Sequence, residues 1–200
     1  MSEGAAAPQH DSIITLRDAT WADYQRVLEL RGDKSVPRVA YLEGVLELMS
    51  PSIHHEAIKS MLGRLVEAWC LEKGVDITPY GSWTHESKES SRGVEPDECY
   101  VLGDDPHPVR CDLAIEVVWS RGGIQKLEIY RKLSVREVWV WKEARLSIFE
   151  LVGERYEEIA TSRMLPGIDL TELLRFVDVH PMTRAVREYR AALAGHPKGA

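Results

Sequence analysis

The chain contains no long hydrophobic run and no leader-like segment. Its longest apolar runs are far too short to cross a bilayer, so we expect no transmembrane span and no membrane contact. The N-terminus, MSEGAAAPQH, has neither a basic segment nor an apolar segment, and so does not fit a secretory signal. These two absences predict a cytoplasmic protein.

Cysteine is also scarce. The three cysteines, Cys70, Cys99 and Cys111, are an odd number and include no CxxC pair. Each lies in or beside an apolar run. This pattern favours reduced cysteines in the core of a cytosolic protein over a disulfide framework or a zinc site.

Positive charge is in deficit. The formal net charge is −7, with 25 Lys and Arg against 32 Asp and Glu. Domains with a broad electrostatic surface for nucleic acid are usually strongly basic, so this balance argues against such a surface but leaves room for a local basic groove. It also agrees with a site that gathers carboxylates around a cation.

The length of 200 residues and the hydrophobic content of 44% fit one soluble domain with short appendages. Residues 1–12 are small and polar, which predicts a disordered N-terminal lead. We assign residues 13–180 to a single domain. We expect residues 181–200 to form a C-terminal helix and tail.

Strands and helices are interleaved along this domain. A helix is expected from Thr20 to Gly32, a hairpin over 36–49 with its turn at Glu43-Gly44, and a helix from Ser52 to Gly74. Further strands are expected at about 75–83, 95–102, 112–119, 137–141 and 146–152, and further helices at 124–133, 170–176 and 182–193. Residues 85–93 are expected to be a polar loop or the tip of a hairpin, and residues 120–123 a loop. The order predicts an α/β (α+β) fold, with a mixed central β-sheet flanked by helices.

Two acidic residues interrupt the apolar pattern of consecutive strands. Asp97 borders the run Cys99–Leu102, and Glu116 lies within the run Leu113–Trp119. A carboxylate in such a run costs several kcal/mol unless it is paired or binds a metal. Lys126 follows in the first turn of the next predicted helix. Together the three residues indicate a site.

The chemistry of this set points to a hard divalent cation. On neighbouring strands Asp97 and Glu116 could face the same way, and a cation would remove their mutual repulsion. Oxygen ligands select Mg²⁺ or Mn²⁺ over zinc. A water on the metal could act as nucleophile, while Lys126 orients it or stabilises a phosphoryl oxygen. This combination suits phosphodiester hydrolysis.

The residues carry a family resemblance. Pro96-Asp97, followed 19 residues later by Glu116-Val117-Val118, resembles the PD-(D/E)xK nuclease pattern. The lysine of that pattern is replaced by Val118, and Lys126 resembles a migrated substitute. Over about residues 35–152 the chain resembles the Uma2 family, also called DUF820. The matching segments are Glu43-Gly44, Leu48-Met49-Ser50-Pro51-Ser52, His55, Pro96-Asp97, Asp112 to Val117, Lys126, Tyr130 and Val135 to Trp141.

The resemblance implies a restriction-endonuclease-like core. Asp97 and Glu116 would be metal ligands and Lys126 the catalytic lysine. Either Glu43 or Glu47 would approach the site, and His55 would face it from the following helix. The resemblance implies a fold and a chemistry more than a substrate.

Each candidate also has a structural interpretation. Asp97 could cap a turn after Pro96, Glu116 could form an ion pair with Arg110 or Lys126, and Lys126 could be a solvated helix residue. Glu43 could serve the turn, Glu47 could face solvent, and His55 could lie in an exposed helical turn.

Two functions therefore stay open. One is a Mg²⁺-dependent DNA endonuclease. The other is a catalytically inactive protein of the same fold that binds nucleic acid or a protein partner. A symmetric pair is the simplest means of cutting two strands, so a homodimer is a further expectation, although no residue pattern indicates it.

Overall fold

The computed structural model describes residues 10–118 and 124–195. Helices and strands alternate through these residues, as the sequence predicts. Their bounds are β1 (Ser12–Leu16), α1 (Trp21–Arg31), β2 (Arg38–Leu42), β3 (Val45–Ser50), α2 (Ile53–Lys73), β4 (Ile77–Pro79), β5 (His85–Ser87), β6 (Arg92–Val94), β7 (Glu98–Leu102), β8 (Leu113–Val118), α3 (Lys126–Lys132), β9 (Glu137–Lys142), β10 (Arg145–Val152), β11 (Arg155–Ile159), α4 (Leu170–Leu174) and α5 (Met182–Gly195).

The described strands form two sheets rather than one. The first has the order β1-β3-β2-β6-β5 and is antiparallel, and the second has the order β11-β10-β9-β8-β7-β4. In the second sheet β8 and β9 are parallel while the other pairs are antiparallel. The predicted mixed α+β class is confirmed, and the second sheet is the mixed one.

The first hairpin forms at the predicted turn. Glu43 and Gly44 both have positive φ, 45° and 90°, which is the backbone of a two-residue turn that follows the twist of the paired strands. The turn fixes the register of β2 on β3, so that Ala40 lies opposite Glu47. Glu47 thereby reaches the interior from the middle of β3.

Helix α2 connects the two sheets. Ser52 caps its first turn by accepting a hydrogen bond from the His55 amide at 3.2 Å, and Gly74 ends it in the left-handed region. Leu62 and Leu65 are fully buried against the second sheet. Burying such a side chain contributes about 1.5–3 kcal/mol, so the apolar stripe fixes the helix in place.

The predicted C-terminal appendage belongs to the same core. Ala185, Tyr189 and Leu193 of α5 are buried in the cluster that α2 forms with the second sheet. Arg190 bonds Glu72 of α2 at 2.5 Å. Residues 182–195 therefore pack as part of the main domain.

Several predicted boundaries move. Ser12, assigned to the lead, begins β1. Of the two alternatives for 85–93, the hairpin forms, with β5 and β6 paired antiparallel. Asp97 precedes β7 rather than lying within it, and β11 has no counterpart among the predicted elements. Strands of three to five residues offer too few positions for apolar alternation to reveal them. Residues 1–9, the predicted strand end at 119, the loop over 120–123 and the tail from 196 lie outside the described residues. No helix in the described part of the chain is both long and apolar enough to cross a bilayer.

Candidate active site

The pairing of β7 with β8 brings Asp97 and Glu116 together. Glu98 lies opposite Ile115, so the preceding Asp97 and the following Glu116 occupy the next pair of positions. The amide of Val117 donates to Asp97 Oδ2 at 2.6 Å. Both carboxylates are buried, at 0% and 2% exposure. The two acids are therefore neighbours, as the strand assignment predicts.

Asp97 is held by a cation and a histidine. Arg38 of β2, itself buried, donates to Asp97 Oδ1, and His55 Nε2 lies 3.0 Å from the same oxygen. Arg38 also bonds Glu56 at 2.6 Å. A buried carboxylate needs such partners, because an unpaired charge in the interior is costly. Arg38 supplies the positive charge that the buried Asp97 carboxylate requires.

His55 connects Asp97 to the start of the described chain. Its side chain is fully buried, and its Nδ1 lies 3.0 Å from Asp11 Oδ2. Asp11 also accepts a hydrogen bond from the Ser52 amide at 2.8 Å. Burial lowers the pKa of His55, and the Asp11 carboxylate opposes that shift. Asp11, which the sequence placed in a disordered lead, thus anchors the first turn of α2.

Glu116 is held from helix α3. The Lys126 ammonium donates to Glu116 Oε2 at 2.6 Å, and the Tyr130 hydroxyl donates to Oε1. Lys126 and Tyr130 are four residues apart, so both project from one face of the helix. Burial, followed by the Glu116 charge, raises the pKa of Tyr130. Lys126 is mostly buried, at 20% side-chain exposure, and is not a solvated helix residue.

A cavity of about 410 Å³ opens beside Glu116. Its charged lining residues are Asp11, Glu47, Glu116, Lys126 and Lys142. Glu47 is 5% exposed and accepts a hydrogen bond from the Ile124 amide at 2.9 Å, so it does not face solvent. Carboxylates and ammonium groups therefore share one concave space, which is the setting in which active sites occur.

Comparison with known proteins shows the family. The family model Uma2, described as "Putative restriction endonuclease", matches residues 21–182. The chain belongs to the Uma2 family. The match extends beyond both ends of the segment in which the sequence motifs occur.

A solved structure has the same fold. It is the crystal structure of a putative nuclease belonging to DUF820 from Anabaena variabilis ATCC 29413. The TM-score is 0.55 at 12% sequence identity, and the alignment covers 80% of this chain and 99% of that chain. Among curated proteins, none matches the sequence. The structural likeness supports the restriction-endonuclease-like fold alone.

The Uma2 motifs left Glu43 and Glu47 as alternatives near the site. Glu47 lines the cavity, whereas Glu43 lies at the hairpin turn with 69% of its side chain exposed and pairs with Arg92. The turn geometry of Glu43 explains this placement, since a residue at the tip of a hairpin points away from the sheet. The structure thus brings Glu47 and not Glu43 to Glu116.

Three residues around the site were not among the sequence candidates. Arg38 interrupts an apolar strand as Asp97 and Glu116 do, so the same cost of burying a charge could have identified it. Tyr130 follows Lys126 by four residues, and this helical spacing could have identified it as a neighbour of Lys126. Asp11 carried no signal, because it lies in a polar segment and its role depends on how β1 docks on β3.

Proposed function

We propose that the protein is a Mg²⁺- or Mn²⁺-dependent endonuclease that hydrolyses phosphodiester bonds in DNA. The observation that carries the proposal is the placement of Glu116. It is buried beside Asp97, it bonds Lys126, and it lines a cavity. Membership of Uma2, whose description is a restriction endonuclease, favours DNA as the substrate.

The donor set fits a hard divalent ion. Asp97 and Glu116 would hold the metal and Glu47 would add a third carboxylate, since all three offer oxygen and Mg²⁺ prefers oxygen. Arg38 pairs with Asp97, and Lys126 pairs with Glu116. Both carboxylates therefore already stabilise a cationic group. Within the described residues these acids are not a preformed cluster with ligand atoms inside 4.8 Å. Binding would therefore rearrange the Arg38 and Lys126 contacts.

The bound ion would supply a Lewis acid and a water of lowered pKa. The chain's own groups position the reactants. Lys126 presents an ammonium at the cavity wall, where it can stabilise charge on a phosphoryl oxygen. Tyr130 and the Val117 amide fix the orientation of Glu116 and Asp97. Lys142, exposed at the same cavity, is suited to a backbone phosphate.

The setting of the reaction is part of the proposal. The three cysteines are free and buried, which suits a reducing cytoplasm. Cleavage of two strands would be carried out by a homodimer that presents one cavity to each strand. Light scattering of the purified chain measures that state directly.

A second candidate function has specific support. Val118 stands where the nuclease pattern has lysine, and Asp97 is closed off by Arg38 and His55. A protein that kept the fold but lost nuclease activity would keep the ion pair between Arg38 and Asp97 permanently. Such a protein would bind nucleic acid or a protein partner without cutting DNA in any metal.

Plasmid cleavage separates the two functions. We expect the wild type to nick or linearise supercoiled DNA in Mg²⁺ or Mn²⁺ and not in EDTA. Glu116→Gln and Asp97→Asn should abolish cutting. Glu43→Gln is the matched control, because Glu43 is an acid of the same motif set that lies at an exposed turn. DNA binding without cleavage in either metal would favour the inactive candidate.

A further inference from the structure

A second polar cluster lies away from the cavity. His85, Cys99 and Cys111 are buried, at 4%, 0% and 0% exposure. His85 belongs to β5 in the first sheet, Cys99 belongs to β7 in the second, and Cys111 ends the connection that leads into β8. The three residues come from separate segments, so the fold and not the local sequence brings them together.

The spacing within this cluster suits a tetrahedral metal ion. The histidine ring nitrogen and the two sulfurs all lie within 4.8 Å of one another, and His85 Nε2 is 3.8 Å from Cys99 Sγ. Ligands of a tetrahedral zinc ion, with bonds near ~2.0–2.3 Å, are ~3.5–3.8 Å apart. A pair at the 4.8 Å limit would need to close by about 1 Å to reach the tetrahedral separation. In the part of the chain that the structure describes, no other group of three His, Cys, Asp or Glu meets this distance.

Charge selects the metal. Two thiolates, one neutral imidazole and one divalent ion sum to zero, and a neutral complex is the one that a buried apolar environment tolerates. A monovalent ion with the same ligands would leave a buried negative charge. Sulfur ligands disfavour Mg²⁺ and favour zinc. We propose that His85, Cys99 and Cys111 bind a Zn²⁺ ion that joins the two sheets.

The surroundings support a fixed ligand set. The Trp83 ring packs on the His85 ring, with centroids 4.3 Å apart, and limits its rotation. Zinc would link the β5–β6 hairpin to β7 and would fix the proline-containing connection that ends at Cys111. Three protein ligands leave the fourth position of a tetrahedral zinc ion open, and zinc sites with three protein ligands fill it with water or a substrate. Binding would release two thiol protons, one each from Cys99 and Cys111.

The competing interpretation is ordinary packing of reduced thiols, and Cys70 provides the control. Cys70 is also free and buried, but it lies in α2 outside the cluster. Cys99→Ser, Cys111→Ser and Cys70→Ser thus remove one sulfur each from comparable buried positions. Only the first two should affect metal binding.

The test is metal analysis of the whole chain expressed with added zinc and dialysed against metal-free buffer. We expect about one Zn²⁺ per chain in the wild type and in Cys70→Ser. The zinc content per chain should fall by at least tenfold in Cys99→Ser and Cys111→Ser. Co²⁺ added to the metal-free wild type should produce a thiolate-to-cobalt charge-transfer absorption, which does not depend on whether the variants fold.

Glu116→Gln should keep the zinc, which separates this site from the proposed nuclease centre. The proposal is overturned if the wild type carries no stoichiometric zinc and Co²⁺ gives no charge-transfer band. It is overturned equally if Cys70→Ser loses the ion as Cys99→Ser does.

Discussion

Arg38 of the first sheet bonds Asp97 at the start of β7, and both side chains are more than nine-tenths buried. This ion pair joins the hairpin of the first sheet to the start of β7 in the mixed second sheet. Neither residue lines the cavity, but the amide of Val117, which does, donates to Asp97. A buried pair contributes little net stability while it is intact, but removing one partner leaves an uncompensated charge. The pair is therefore sensitive to mutation and to any cation that replaces the guanidinium.

Arg38→Met tests this relationship. Without the guanidinium, the buried Asp97 carboxylate keeps His55 and the Val117 amide but loses its arginine partner, so the free energy of unfolding should fall by up to about 3–5 kcal/mol in EDTA. Mg²⁺ should restore part of the loss if Asp97 then binds the metal. Denaturant unfolding with and without Mg²⁺ measures both effects. Arg26→Met is the control, because Arg26 pairs with Glu29 at the surface and should change stability by about 0–1 kcal/mol. A stability that Mg²⁺ leaves unchanged in Arg38→Met would argue against Asp97 as a ligand.

Lys126→Met should act on catalysis. The ammonium at the cavity wall stabilises developing charge, so its loss should reduce the cleavage rate by about 10²–10³-fold while the circular dichroism spectrum is retained. Lys132→Met is the matched control, since Lys132 lies exposed at the other end of the same helix. Equal cleavage rates for Lys126→Met and the wild type would show that Lys126 only pairs with Glu116 and takes no part in catalysis.

Tyr130→Phe isolates one hydrogen bond. The Tyr130 hydroxyl donates to the buried carboxylate of Glu116, and a bond to a charged group contributes about 1.5–3 kcal/mol. Tyr156→Phe removes a bond to a neutral carbonyl, from the Tyr156 hydroxyl to Val135 at 2.6 Å, and should cost only about 0.5–1.5 kcal/mol. Thermal unfolding of the two variants compares them. Equal losses in the two variants would show that the Tyr130 hydroxyl does not bond the Glu116 carboxylate as the structure has it.

Gly93→Ala tests how the first sheet packs on α1. A Cβ at Gly93 would overlap the Tyr24 hydroxyl, and the Tyr24 side chain is fully buried and cannot withdraw. Overpacking of this kind should lower the free energy of unfolding by about 1–3 kcal/mol or more. Gly195→Ala, where a Cβ meets no atom within 4 Å, should be nearly neutral. Two variants of equal stability would show that α1 does not pack on β6 in this way.

Much of the fold was predictable because its signals are local. Thr20, Ser52 and Gly74 mark helix ends through their own hydrogen bonds or backbone angles, and Glu43-Gly44 marks the hairpin in the same way. The division into two sheets is not local. It depends on short strands such as β1 and β6, whose pairing is decided by tertiary contacts.

The same difference between local signals and tertiary contacts applies to the candidate site. Asp97, Glu116 and Lys126 could be predicted because each is a charge at a position that its sequence context makes unusual. The contact of Asp11 with His55 and the ion pair of Arg38 with Asp97 could not, since these partners are 44 and 59 positions apart in the sequence. The cysteines were predicted to be reduced core residues, and all three are free and buried. The sequence does not reveal that Cys99 and Cys111 lie close to His85, because these three residues share no short motif.

Divalent metal binding tests the central claim most directly. Titration calorimetry with Mn²⁺ should show about one high-affinity site on the wild type that is lost in Glu116→Gln and Asp97→Asn. The site should be retained in Glu43→Gln, because Glu43 lies at an exposed turn and pairs with Arg92. It should also be retained in Cys99→Ser, because the Cys99 sulfur lies against His85. Binding of equal affinity in the wild type and in both acidic-site variants, or no binding by a folded wild type, would contradict a metal centre at Asp97 and Glu116.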